Sequence, residues 1–250
     1  TSYDYAYSVS QTTDGGYVVA GYTGSFGAGS SDFLVLKLNP NGSLAWARSF
    51  GGTSYDYAYS VSQTTDGGYV VAGYTGSFGA GSSDFLVLKL NPNGSLAWAR
   101  TFGGMDYDRA WSVSQTTDGG YAVAGYTASF GAGGNDFLVL KLNPDGSLAW
   151  AKTFGGTGYD DAWSVSQTTD GGYVVAGETQ SFGAGSYDFL VLKLNPDGSL
   201  AWARSFGGTS GDLAWSVSQT TDGGYVVAGY TWSFGAGYND FLVLKLDPDG

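Results

Sequence analysis

Carboxylates are the side chains of this chain whose number and spacing could do chemistry. Its 250 residues carry 22 Asp and Glu against 10 Lys and Arg, a formal charge of −12, with no His and no Cys. Without His there is no Ser–His–Asp triad, no imidazole base and no His-ligated metal. Without Cys there is no thiol nucleophile, no thiolate metal site and no disulfide. The acids form rings with a 52-residue period. Asp4, Asp56, Asp108, Asp160 and Asp212 precede one β-rich run. Asp14, Asp66, Asp118, Asp170 and Asp222 sit in "TTDGG" segments, and Asp32, Asp84, Asp136, Asp188 and Asp240 open "DFLVLKL". A carboxylate repeated in every unit organises its own turn by accepting hydrogen bonds from nearby amides. Glycoside hydrolysis instead needs two carboxylates in unlike environments, one acid and one base. Asp106, Asp161 and Glu178 break the repetition, and a glycosidase alternative would rest on Asp161 and Glu178.

The elements that must position these acids follow from the repeat. Units begin at Thr1, Thr53, Met105, Thr157 and Thr209, giving 1–52, 53–104, 105–156, 157–208 and an incomplete 209–250. The first two differ only at Ser49 versus Thr101, which points to recent duplication or deliberate amplification; a designed or reconstructed protein is one expectation. Within a unit, "TTDGG" is an Asp-Gly hairpin turn, "NPNG" or "NPDG" a second turn, and "TGSFGAGSSD" a Gly/Ser-rich loop. Between them the pattern predicts strands at 6–11, 17–22, 33–38 and 44–50, and no helix.

The side chains predict how such four-stranded meanders pack. Phe33 and Val35 point one way and Leu34, Leu36 and Leu38 the other, so the third strand is covered on both faces. Small Ala6, Ser8 and Ser10 are expected on one face of a first strand crowded near an axis. Radial stacking of four-stranded sheets is a β-propeller: an all-β, five-bladed β-propeller of four-stranded antiparallel blades, forming a single domain over 1–250. The fifth unit lacks the counterpart of "SLAWARSFGG", so its last blade is expected to lack the outer strand and to leave the edge of 241–246 unpaired. Such an edge can pair with another chain; a monomer with that edge exposed and an edge-strand dimer are both expectations, as is a chain cut from a longer array. Thr1 in place of Met suggests processing or trimming.

"DGGYVVAG", "DFLVLKLNPDG" and "SLAWARSFGG" together resemble tandem β-propeller repeats of secreted and cell-surface proteins of archaea and bacteria, over essentially the whole chain. The resemblance implies the strand order inner, second, third, outer, and an extracellular or cell-surface setting if the protein is natural. "LNPDGSLAW" is similar in rhythm to quinone-enzyme propeller repeats, in which a Trp near the outer strand docks between blades. The spacing does not fit the sialidase Asp-box.

In that architecture the ring of Asp4, Asp56, Asp108, Asp160 and Asp212 lies nearest the axis and could hold Ca²⁺ through oxygen ligands, or could cap its own turns. Lys37 and its equivalents read as partners in inter-strand charge pairs or as snorkelling side chains. The units differ mainly in the linker before the first strand and the loop after the second, at one end of every blade. There the chain carries Arg109, Trp111, Asp161, Trp163, Glu178, Gln180, Trp215, Trp232 and Tyr238. Aromatic planes beside polar groups suit lectin-like carbohydrate or protein recognition; the competing readings are loop drift on a plain scaffold and, for Trp111, packing between blades. The negative charge argues against nucleic acid and anionic membranes as partners. The expected function is a non-catalytic scaffold or binding module with no obligatory cofactor.

Overall fold

A computed structural model describes residues 2–250. The first blade is β1 (Asp4–Gln11), β2 (Tyr17–Thr23), β3 (Asp32–Leu38) and β4 (Leu44–Phe50); the second is β5 (Asp56–Gln63), β6 (Tyr69–Thr75), β7 (Asp84–Leu90) and β8 (Leu96–Phe102). The third comprises β9 (Asp108–Gln115), β10 (Tyr121–Thr127), β11 (Asp136–Leu142) and β12 (Leu148–Phe154), and the fourth β13 (Asp160–Gln167), β14 (Tyr173–Thr179), β15 (Asp188–Leu194) and β16 (Leu200–Phe206). The fifth has β17 (Asp212–Gln219), β18 (Tyr225–Thr231) and β19 (Asp240–Leu246). These make antiparallel sheets of four, four, four, four and three strands in sequence order, the blades of a five-bladed β-propeller. Among the described residues no helix is long and apolar enough to cross a membrane.

The turns form as their residues dictate. Gly15 donates to Thr12 O at 2.9 Å, and the Asp14 carboxylate accepts the Gly16 N–H at 3.0 Å and the Thr12 hydroxyl at 2.5 Å. The nearly buried Lys37 ammonium reaches the same carboxylate at 2.9 Å, so the repeated Asp and Lys pair across their own blade.

The chain forms two compact units, residues 1–121 with 143–147, and residues 122–142 with 148–250. In the first, one face of blade one (Val18, Ala20, Phe33, Val35) packs on the opposite face of blade two (Ala58, Val61, Tyr69, Val71, Leu86, Leu88, Leu90). In the second, the same arrangement joins Phe137 and Val139 to Leu190, Leu192 and Leu194, and Phe189 and Val191 to Val217, Tyr225 and Val227. Both faces of β15 are thus covered by apolar neighbours, Leu190 and Leu192 on one side and Phe189 and Val191 on the other. Each outer-strand Trp docks on the following blade. Trp46 meets the Tyr69 ring edge-on at 5.6 Å, and Trp202 donates its indole N–H to Pro248 O at 3.3 Å. Gly94, in the second blade's turn with φ +79°, admits Trp46 because a Cβ there would stand 2.9 Å from the indole.

One expectation is corrected. Ala6, Ser8 and Ser10 do not simply share a face, because a β-bulge shifts the register between Ala6 and Ser8. In blade two the equivalent bulge brings Ala58 and Val61, three residues apart, to the same buried face. An extra residue on one strand resets the alternation. Ser8 is nonetheless where the inner strands crowd: its hydroxyl accepts the Val61 N–H at 3.2 Å.

Candidate functional site

Backbone hydrogen bonds bring the two variable connections of blades one, two, four and five together. Gly76 donates to Tyr55 O at 2.7 Å, Gln180 to Tyr159 O at 2.8 Å and Trp232 to Gly211 O at 2.9 Å. The loop after the second strand also bridges the next blade's linker, as at Ser31 with Tyr55 and Tyr187 with Gly211. Substitutions at these positions therefore meet in space.

In the first unit they build a stack of rings. Tyr22 lies 4.2 Å from Tyr57, Tyr7 4.6 Å from Tyr59, and Tyr59 4.4 Å from Trp111 in an edge-on contact. The Arg109 guanidinium sits 4.4 Å from the Tyr74 ring and 5.3 Å from Tyr107, within cation–π range. Burial pushes the Tyr74 phenol up to about 12, the Arg109 charge opposing it. Trp111 and Arg109 are here packing residues between blades.

The second unit places a carboxyl where Tyr22 and Tyr74 stand in the first. Glu178 in β14 pairs across the sheet with Asp161 in β13. It is only 7% exposed, and its Oε2 has no hydrogen-bond partner. Burial, chiefly, and the neighbouring Asp161 charge push this carboxyl up to about 8, with the Trp163 indole pulling the other way. Asn135 donates to Asp161 Oδ1 at 3.0 Å. Gly177 lets the strands close here, since a Cβ on it would lie 2.0 Å from Asp161 O. Glu178 lines a cleft of about 430 Å³ with Ser186, Tyr187, Gly211, Leu213, Tyr230 and Trp232. Burial also raises the Tyr187 and Tyr230 phenols, and Glu178 adds to it. The cleft thus offers a protonated carboxyl as donor, phenol hydroxyls, and aromatic surface.

Of the residues singled out in the sequence, Glu178 and Trp232 share this cleft, with Asp161 and Trp163 beside Glu178. Trp215 packs edge-on against Tyr230 at 5.3 Å. Gln180 and Tyr238 do not line the cleft, and Tyr238 projects into solvent. Asp106 lies in the linker before β9. Tyr187 and Tyr230 were missed. Tyr187 was visible in the column Ser31, Ser83, Asn135, Tyr187, Asn239; Tyr230 repeats a residue of the other blades and carried no signal of its own.

The Asp ring proposed for Ca²⁺ is engaged within its linkers. Asp56 Oδ2 accepts Gly52 N–H at 2.9 Å and Ser77 hydroxyl at 2.7 Å. Asp160 and Asp212 accept the Thr179 and Thr231 hydroxyls and the Gly156 and Gly208 amides. Asp4 takes Thr23 at 2.5 Å, and Asp108 takes Gly104 N–H at 2.7 Å. These are the bonds of turn caps. Among the described residues no three acidic side chains are grouped to hold a metal ion.

Comparison with known proteins gives the same architecture. The family profile described as "Domain of unknown function (DUF5122) beta-propeller" matches residues 12–44, 64–96, 116–148, 168–200 and 220–250. The regulatory protein FlaEY of Caulobacter vibrioides is 27% identical over 249 residues, covering 93% of this chain and 24% of the relative; the chain therefore spans about a quarter of that protein's length. Among solved structures, the Neurospora crassa Pan2 WD40 domain superposes with a TM-score of 0.52 at 13% identity, over 90% of this chain and 72% of that one. At that identity the likeness is one of fold alone.

Proposed function

The chain belongs to the DUF5122 β-propeller family, and on that premise we propose that it is a non-catalytic binding module whose ligand site is the Glu178 cleft. One observation carries this reading: a buried carboxyl with an unpartnered oxygen opens on a cleft walled by Tyr187, Tyr230 and Trp232. An unsatisfied buried polar atom costs about 1–3 kcal/mol, and a bound hydroxyl would relieve that cost. Aromatic planes beside a donor and an acceptor suit a sugar ring. Carbohydrate is the ligand class we favour, with a protein surface as the alternative. The setting proposed with it is extracellular or at the cell surface, on the resemblance of the repeats alone. The charge of −12 disfavours nucleic acid.

The test is a glycan array probed with the wild type, Glu178→Gln and Trp232→Ala, each with calcium and with chelator. Expected are specific wild-type hits, about tenfold weaker for Trp232→Ala, the loss of one aromatic contact, and indifferent to chelator. A blank array removes carbohydrate from the proposal, and hits unchanged in both variants remove the cleft. A hydrolytic reading rests on the same pair, with Glu178 as a protonated acid beside Asp161. Product release by the wild type, abolished in Asp161→Asn, would replace binding with catalysis.

A further inference from the structure

The Glu178 cleft stands where another joint of the same repeat holds a cation. At the joint of blades two and three, the Arg109 guanidinium lies 4.4 Å from the Tyr74 ring and 5.3 Å from Tyr107, a cation between two aromatic groups. At the joint of blades four and five, Glu178 replaces Tyr74, Leu213 replaces Arg109 and Gly211 replaces Tyr107. These three residues all line the cleft of about 430 Å³. Arg109 and Leu213 are both half-buried. A long charged side chain has thus been exchanged for a short apolar one, and a ring for no side chain at all. What Arg109 and Tyr107 fill at the first joint is left open at the second.

The chemistry around the opening suits a positive group. Glu178 is only 7% exposed, and its Oε2 accepts no hydrogen bond. Asp161 faces it across the sheet, and the remaining side chains of the cleft, Ser186, Tyr187, Leu213, Tyr230 and Trp232, bring no positive charge. Burial and the Asp161 charge together keep the Glu178 carboxyl protonated. A cation beside it would favour the ionised form and give Oε2 a charge-assisted hydrogen bond. A neutral hydroxyl could make one bond there but would do nothing to offset the Asp161 charge. The rings add flat apolar surface, which suits both a sugar ring and a cation. We infer that the sugar bound in the Glu178 cleft is an amino sugar, whose ammonium takes the place that the Arg109 guanidinium holds at the other joint and pairs with Glu178. This rests on the cleft being the ligand site and carbohydrate its ligand, and it adds the charge of that ligand. The chain's own charge of −12 draws such a cationic glycan to its surface.

The test is titration calorimetry at pH 7 with β-1,4-linked tetramers of glucosamine, N-acetylglucosamine and glucose, which differ in charge at one position of each ring. The wild type should bind the glucosamine tetramer about 30-fold or more tightly than either neutral tetramer, the size of a lost buried charge pair. Leu213→Arg should weaken that binding by a similar factor, because it restores the internal cation at a position that holds Arg109 in blade three. Leu213→Ala leaves the niche open and should keep the preference, and Glu178→Gln should bind all three tetramers alike; matching melting curves confirm that the variants fold. Neutral tetramers bound as tightly as glucosamine, and more weakly by Trp232→Ala, overturn the inference while the cleft stands as a carbohydrate site. Glucosamine binding unchanged in Leu213→Arg also overturns it, since the ammonium then sits elsewhere. No binding of any tetramer overturns it as well, and a blank glycan array beside that result removes the carbohydrate reading with it. An oligolysine peptide bound where the tetramers are not would replace the amino sugar with a protein partner.

Discussion

Tyr74 in blade two and Glu178 in blade four occupy the same place in the repeat, and burial treats them differently. Around Tyr74 the niche is closed with rings, Tyr59 and Trp111 beside it and the Arg109 guanidinium over its face. A phenol pushed up to about 12 was already neutral at physiological pH, so its burial carries no ionisation cost. Glu178 is as well buried, but a carboxyl pushed up to about 8 must hold a proton that water would remove. Its neighbour across the sheet is another acid, Asp161, and the cleft beside it is open. The first niche is packing. The second gives up stability for an open polar site, as binding sites commonly do.

The largest way to break this contrast is Glu178→Tyr, which restores the residue of the other four blades. The folded pKa of Glu178 lies above its unfolded value, so its contribution is fully present below about pH 4.5 and is lost as pH rises through 8. The shift corresponds to a loss on the order of 5 kcal/mol across that window. Chemical denaturation should therefore show Glu178→Tyr more stable than the wild type by several kcal/mol at pH 8, with the difference shrinking at pH 4.5. A pH-independent difference would show that packing, and not the proton, separates the two niches.

The reciprocal change, Tyr74→Glu, sharpens it. Arg109 stands over that niche, so the new carboxylate gains a cationic partner that Glu178 lacks. Its stability should fall less steeply between pH 5 and 8 than the wild type's fall through Glu178. An equal or steeper fall would mean that Arg109 does not reach it.

The smallest effect belongs to the turns at the other end of the blades. Burial pushes the Asp66 carboxyl up, but hydrogen bonds from Lys89, Thr64 and the Gly68 amide outweigh it and hold it at about 2. That stability is present above the unfolded pKa near 3.8 and is lost as pH falls through 2. The carboxylate is mostly solvent-exposed, so screening limits the pair to about 1 kcal/mol or less. Asp66→Asn should lower the midpoint of urea unfolding only slightly at pH 7, and by still less at pH 2.

The blades were legible because their signals are local. Asp-Gly and Asn-Pro turns mark every strand end, and the alternation in "FLVLKL" shows two covered faces. Strand bounds differ from the sequence reading by at most two residues, the inner strand starting at Asp4 and not Ala6. The bulge after Ala6 was not legible, because it depends on a strand pressing against Gly21 from across the sheet. The site was half legible. Comparing blades singled out Glu178 and Asp161 by type, since repetition makes every departure visible. What covers Glu178 is a matter of three-dimensional closure: Tyr187 arrives from the loop before β15, and Leu213 and Trp232 from the next blade. The Asp ring illustrates the opposite case. Its period suggested convergence on an axis, while its hydrogen bonds run to the hydroxyls and amides of adjoining linkers and loops.

The most direct test of the Glu178 cleft as the ligand site is a glycan array run in parallel on the wild type and Glu178→Tyr at pH 7. Tyrosine should fill the cleft with a ring and stabilise the blade, separating the site from the fold. The expected result is sugar binding by the wild type and none by the more stable variant. A wild type that binds no sugar, or a Glu178→Tyr protein that binds the same sugars with equal affinity, would contradict it.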